Sequence, residues 1–293
     1  MTELLTAWDK VQIARHSQRP HTLDYIRRLC CSFFEFHGDR HFGDDAAIVA
    51  GVGQTAHGAV ALIGHQKGRN TRENIQRNFG MPRPEGFRKA QRVMHHAQKF
   101  GMPLICFLDT PGAQPSMEAE ERGQAQAIAQ SLIDMAGLEV PIISVVIGEG
   151  SSGGALAIGM ADCILMLEHA IYAVASPEAS ASILWRDASK ACEAAQLMKI
   201  TAQDLLELGV IEAIIPEPAG GAHTDTEQAI SSTIAAIACS MAALQQKDRG
   251  QLVWNRYRKY RAIGQFTQAQ EHLLETQAAH AQRPHARSLA IET

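Results

Sequence analysis

Pro141-Ile-Ile-Ser-Val-Val-Ile-Gly148-Glu-Gly-Ser-Ser-Gly-Gly154 passes from a β-branched apolar run straight into four glycines within seven positions. Valine and isoleucine fit a pleated surface, and a run apolar on both faces predicts a strand buried inside a parallel sheet. The same grammar occurs upstream. Pro103-Leu-Ile-Cys-Phe-Leu108 predicts a buried strand, Asp109-Thr-Pro-Gly-Ala-Gln-Pro115 a loop, and Ala119 to Ala136 a helix. Downstream of the glycines come a short helix (Ala155 to Met160) and strands over Cys163 to Leu167 and Ile171 to Ala175. Repeated strand, turn and helix set the glycine-rich turns along one sheet edge, which is an α/β architecture.

Outward from this centre, Thr22 to His37 predicts a helix, with Leu23, Ile26, Leu29, Phe33 and Phe36 on one face. Ala46 to Val52 and Ala59 to His65 predict paired strands. Gln66 to Phe87 reads as a long loop, a length that usually serves function. Gly86 to Phe100 is an amphipathic helix through Phe87, Ala90, Val93, Met94, Ala97 and Phe100. Leu184 to Met198, Thr201 to Leu208 and Thr226 to Gln246 predict further helices, and Val210 to Ile215 a strand. The whole of 1–293 reads as one domain with a core of about 23–247, and a polar tail over about 265–293 has the character of a disordered end.

Composition narrows the classes. The 293 residues carry 27 basic and 31 acidic side chains, a net charge of −4, with 46% apolar and 20% charged residues. These proportions exclude collagen, coiled coil and wholesale disorder. The longest apolar candidate, Gly153 to Leu167, is broken by Asp162 and falls short of the roughly 20 residues that span a bilayer. The first nine residues lack a basic and an apolar segment of the secretory kind, so a cytoplasmic protein without membrane association is expected. Slight acidity argues against dedicated nucleic-acid binding. Cys106, Cys163 and Cys239 sit in apolar or alanine-rich surroundings, and none of the six cysteines forms a Cys-x-x-Cys pair. Reduced thiols and no metal in this chain are expected.

Gly148-x-Gly150-x-x-Gly153 matches a dinucleotide fingerprint literally. A crossover helix of that fold needs about a dozen residues with its turns, and only Ala155 to Ala161 is available. A phosphate-binding P-loop lacks its Gly-Lys-Ser/Thr. The remaining functional reading is a row of backbone N–H groups at a helix start, unobstructed by side chains, aimed at an anionic oxygen. A tight turn that merely packs a helix on a sheet is the alternative, and it needs only one or two glycines.

Further motifs occur in order: Gly64-His-Gln-Lys-Gly-Arg69, Arg77-Asn-Phe-Gly-Met-Pro-Arg-Pro-Glu-Gly-Phe-Arg-Lys-Ala90, Asp109-Thr-Pro-Gly-Ala113 and Ala119-Glu-Glu-Arg-Gly-Gln124. After the glycine segment come Ser176-Pro-Glu178, Ala181-Ser-Ile-Leu-Trp185 and Ile215-Pro-Glu-Pro-x-Gly-Gly-Ala-His223. In register, these resemble the α subunit of the bacterial acetyl-CoA carboxylase carboxyltransferase over roughly Leu23 to Tyr260. The resemblance implies a crotonase-type spiral of ββα units with flanking helices, and an α2β2 assembly with a β subunit that carries a zinc ribbon. It implies transfer of carboxylate from carboxybiotin, held on a biotin carboxyl carrier protein, to acetyl-CoA or a related acyl thioester. A non-catalytic scaffold subunit and an acyl-CoA hydratase or isomerase are the competing classes.

The same resemblance puts a biotin-side oxyanion hole on the Gly150 and Ser151 amides, with Gly153 and Gly154 shaping the turn. Gly112 and Ala113 are expected beside the substrate. Lys67 and Arg69 belong to a cationic cluster with Arg72, Arg77, Arg83, Arg88 and Lys89. It suits the phosphates of CoA, or else a solvated loop or a face for the β subunit. Arg256-Tyr-Arg-Lys-Tyr-Arg261 reads as a solvated helix face. The family's long N-terminal helical extension has no counterpart here. Gln114, Ser116, Glu118, Ser151, Ala179, Ser180 and Thr224 also depart from its usual pattern, which points to a specialised paralogue with its own β partner or a changed acyl acceptor, the alternative being a housekeeping enzyme with neutral variation. At Ser151 a Cβ would disfavour a positive φ by roughly 1–2 kcal/mol.

Overall fold

The computed structural model describes residues 5–264, so the reading of 265–293 as a disordered end lies outside them. Helix α1 (Ala7–Ala14) starts at a Thr6–Asp9 capping box. Helix α2 (Thr22–Leu29) stops well short of His37, and Ser32–Glu35 forms strand β1. The predicted helix over 22–37 is therefore half wrong. Phe33 and Phe36 keep a helical spacing, yet pairing with β2 (Ile48–Thr55) wins. Gly51 and Gly53 admit that neighbour: a Cβ on Gly51 would lie 2.2 Å from the Phe34 carbonyl oxygen, and one on Gly53 2.5 Å from Cys30 Sγ.

Strand β3 (Gly58–His65) closes the predicted hairpin with β2. The supposed loop after it contains helix α3 (Thr71–Gln76) and a 3-10 turn at Asn78–Gly80. Helix α4 (Pro84–Phe100) begins on a proline in its first turn and ends on left-handed Gly101, so both ends are written in the sequence. Strand β4 (Leu104–Thr110) runs two residues past its expected end and includes Asp109. The predicted helix 119–136 is two helices, α5 (Met117–Glu121) and α6 (Gln124–Gly137), divided by Gly123 at φ 82°.

Strand β5 (Ile142–Ser151) is fully buried and runs through the first half of the glycine motif. Helix α7 (Ser152–Leu156), β6 (Cys163–Leu167) and β7 (Ile171–Ala173) follow. The predicted helix 184–198 is α8 (Pro177–Trp185), a 3-10 turn and α9 (Ala191–Leu197), with Ser176 capping α8. Helix α10 (Ala202–Glu207) starts at the Thr201 cap, β8 is Ala213–Ile215, and α11 (Thr226–Leu244) and α12 (Arg249–Arg261) complete the described chain.

The strands form one mixed sheet in the order β1-β2-β3-β4-β5-β6-β8, antiparallel over β1–β3 and parallel from β3 onward. Long β5 is shared: its first half pairs with β6, and residues 149–151 pair with β7. Helix α4 packs on β2 and β3, and α11 on β5, β6 and β8. Helix α11 has the length and apolarity of a bilayer span, but its Ala229, Ile230, Thr233 and Ile237 are buried. Cys106 and Cys163 are buried as expected, whereas Cys239 is exposed on α11. In the basic run 256–261, Tyr257, Arg258 and Arg261 are exposed as expected, but Arg256 is not. Arg256 is 1% exposed, binds Asp162, and donates to the carbonyls of Met135, Leu138 and Val140, so it pins α12 to the core.

Candidate functional site

The site begins with a step in the sheet. Leu108 pairs with Val146, but Thr110 pairs with Gly150, so β5 carries two extra residues against Asp109. The Asp109 side chain fills the step: its Oδ1 accepts from Glu149 N–H at 3.1 Å and from Lys67 Nζ at 2.7 Å. A Cβ on Gly148 would lie 2.6 Å from that oxygen, which is why this position takes glycine. Burial pushes the Asp109 carboxyl up, but Lys67 and the His21 hydrogen bond outweigh it and hold the group well below the usual carboxylate range. Arg15 then bridges Glu149 at 2.7 Å to Glu178 at 2.6 Å, tying the end of β5 to the start of α8. The first and third motifs thus meet at Lys67 and Asp109, and the glycine motif meets Ser176-Pro-Glu178 through Arg15.

Pairing decides which amides remain available. Pro111 has no N–H, so the Thr110–Gly150 pairing is closed by Ser151 N–H on the Thr110 carbonyl. Alternation along the strand sends the Gly150 N–H to the other side, toward β7, where Gly150 stands opposite Tyr172. Both amides named from the sequence therefore belong to the sheet. The first-turn amides of α7 have no intrahelical acceptor, and no side chain caps this helix among the described residues. These are the amides of Ser152, Gly153 and Gly154. The amides left free of the sheet thus lie two to three residues further along the motif than those named from the sequence, because the strand is longer than its apolar run.

Gly112 and Ala113 come to the same place. A Cβ on Gly154 would lie 2.5 Å from Ala113 N and 2.5 Å from Gly112 C, so the two loops touch backbone to backbone. Gly112 itself sits at φ 145° and donates to Thr110 Oγ1 at 3.0 Å. On the other side of the turn, Ser152 and Gly153 form part of the wall of a cavity of about 390 Å³. Its remaining walls are largely apolar and include Leu156, Tyr172, Val174 and Ile263.

The cationic cluster is largely neutralised from within. Lys67 is paired with Asp109, Arg69 with Asp24, Arg88 with Asp39 and Glu85, and buried Lys89 with Asp44. Glu217 of the last motif is likewise structural, held between Arg19 and His169. Burial pushes its carboxyl up, but these partners bring it down to about 2. Several departures from the family pattern are satisfied locally. Gln114 accepts from Asn78, Ser116 caps α5, and Thr224 donates to Ala219 and Gly221. Ser151 lies at φ −123°, so the strain expected there is absent, although its buried Oγ has no partner among the described residues. The left-handed residue is Ser152, at φ 56°.

The profile of the acetyl co-enzyme A carboxylase carboxyltransferase-like family matches residues 1–264. The acetyl-coenzyme A carboxylase carboxyl transferase subunit alpha of Anoxybacillus flavithermus is 55% identical over 269 residues, covering 92% of this chain and 83% of that protein. Among solved structures, transcarboxylase 12S superposes with a TM-score of 0.65 at 18% identity, over 82% of this chain and 45% of that one. The Pseudomonas malonate decarboxylase hetero-dimer gives 0.63 at 14% identity, over 89% and 98%. The shared fold is of the crotonase type. By profile and by identity over most of its length, this chain is a member of the acetyl co-enzyme A carboxylase carboxyltransferase-like family.

Proposed function

We propose that this chain is the α-type half of a two-chain carboxyltransferase that works in the cytoplasm as α2β2. It takes the carboxylate of carboxybiotin, carried on a biotin carboxyl carrier protein, to acetyl-CoA or a related acyl thioester. A β-type subunit of the zinc-ribbon kind completes the site. The observation that carries this reading is the uncapped first turn of α7, with Gly153 on a cavity wall and Gly154 against the Gly112–Ala113 peptide.

Carboxybiotin supplies the carboxylate and a ureido oxygen on which negative charge gathers when CO2 leaves. The Gly153 and Gly154 amides are neutral, fixed donors, so they hold such charge without gaining or losing a proton. Donors of this kind act most strongly where water is excluded, and losing one typically costs about 10²–10³ in turnover. Gly150 and Ser151 contribute by carrying β5 to the turn. Gly112 and Ala113 form the facing wall. Lys67 acts through Asp109 and Arg69 is paired with Asp24, so neither is assigned to the phosphates of CoA.

The test is a purified complex of this chain with its β-type partner, assayed for biotin-dependent decarboxylation of malonyl-CoA and for carboxylation across a panel of acyl thioesters. Turnover by the complex, and none by the lone chain, supports the reading. A complex that forms and stays inactive indicates a scaffold, and hydratase activity of the lone chain indicates the third class.

A further inference from the structure

His65 ends β3 and is fully buried, although none of the chemistry above uses it. Its ring lies between two backbone groups. Asp109 N–H points at Nδ1 at 3.4 Å, and the Gly154 carbonyl oxygen lies 3.1 Å from Nε2. An amide N–H can only donate and a carbonyl can only accept, so Nδ1 must be bare and Nε2 must carry the proton. We propose that His65 is a positioning residue of the glycine turn, a neutral imidazole that fixes the Gly154 carbonyl against the end of β4 and so sets the direction of the first-turn N–H groups.

The inference rests on the assignment of Gly153 and Gly154 as the charge-holding donors. Three contacts converge on that turn from the β3 and β4 side. Asp109 holds Glu149 before it, His65 holds the Gly154 carbonyl within it, and the Gly112–Ala113 peptide bears on the Gly154 Cα. A donor row works only if its supports are themselves locked. Burial also drives the His65 imidazole down to about 4, which keeps it in the neutral form that both contacts require.

The experiment compares three variants in the complex with the β-type partner. His65→Gln keeps a donor near Nε2, His65→Asn keeps an acceptor near Nδ1, and His65→Phe keeps only a ring. The expected result is kcat within about fivefold of the parent for His65→Gln and a loss of about fiftyfold for the other two, with KM nearly unchanged. A His65→Phe complex with parental kcat, or a His65→Gln complex that falls as far as His65→Phe, overturns the proposal. Two measurements on the chain alone decide the matter without turnover. The 15N spectrum should show His65 protonated at Nε2 only, and amide exchange at Gly153 and Gly154 should quicken in His65→Phe; the other tautomer or unchanged exchange overturns it. A wild-type complex that transfers no carboxyl group would refute the proposed function while leaving these two readouts to judge His65.

Discussion

The Asp109 carboxylate accepts from the Glu149 amide at 3.1 Å where the register between β4 and β5 slips. A side chain here does the work of a missing ladder carbonyl, and Lys67 at 2.7 Å balances its charge. Asp109→Ala leaves the Glu149 N–H unpaired and Lys67 without its close partner. We expect a loss of about 2–4 kcal/mol at pH 7 by urea unfolding. Because the folded carboxyl is held below its ordinary value, its stabilisation is present above the unfolded value of 3.8 and is lost as pH falls below that. The gap between parent and variant should therefore narrow between pH 5 and the acid limit of folding.

Gly154→Ala places a methyl 2.5 Å from backbone atoms of Gly112 and Ala113, neither of which can swing aside as a side chain would. The two loops must part. Turnover of the complex should fall by about 10²-fold or more, while gel filtration still shows the complex with the β-type subunit. Parental activity in this variant would remove the turn from the mechanism.

Ser152, not Ser151, holds the left-handed conformation. Ser152→Gly should raise stability by about 1 kcal/mol by relieving that strain, visible as a higher melting temperature. Ser151→Gly should bring no such gain from strain relief, since its backbone is extended.

Acid should reveal His65. The folded imidazole protonates near 4, while the unfolded one does so near 6.5, so the unfolded chain binds more protons between these values. Stability then falls with decreasing pH across this window, by about 1.4 kcal/mol per unit from this group. The difference between parent and His65→Gln, followed by denaturant unfolding from pH 7 to 4.5, should show that slope.

Arg256→Met removes a buried cation from the Asp162 carboxylate and the carbonyls of Met135, Ala136, Leu138 and Val140. Asp162 would be left buried without its cation and with the Ile142 amide as its remaining side-chain partner, a situation that costs about 3–5 kcal/mol. Limited proteolysis should then cut within 249–261 faster than in the parent chain.

These contacts also mark what was legible in the sequence. Strand β4, the β2–β3 hairpin and α4 carry their own signals in apolar period, Pro84 and Gly101. Strand β1 did not, because Phe33 and Phe36 satisfy a helical spacing and only the glycine gaps at 51 and 53 on a distant strand decide for pairing. Helices α5 and α6 read as one because Gly123 alone divides them. At the site, the motif was legible and its register was not. How far β5 runs depends on Asp109, Pro111 and Tyr172, which belong to other strands and loops, so the free amides fell at Gly153 and Gly154 rather than at Gly150 and Ser151. One signal was available: Pro111 cannot donate to a ladder, so the amide opposite it had to donate instead. Arg256 looked solvated for a similar reason, since its carbonyl partners lie more than a hundred residues away.

The most direct measurement is a structure of this chain with its β-type partner and biotin bound. The biotin ureido oxygen should lie about 2.7–3.1 Å from the amide nitrogens of Gly153 and Gly154. A ureido oxygen bound elsewhere, with those two amides turned to protein acceptors, would contradict the role given to the glycine turn.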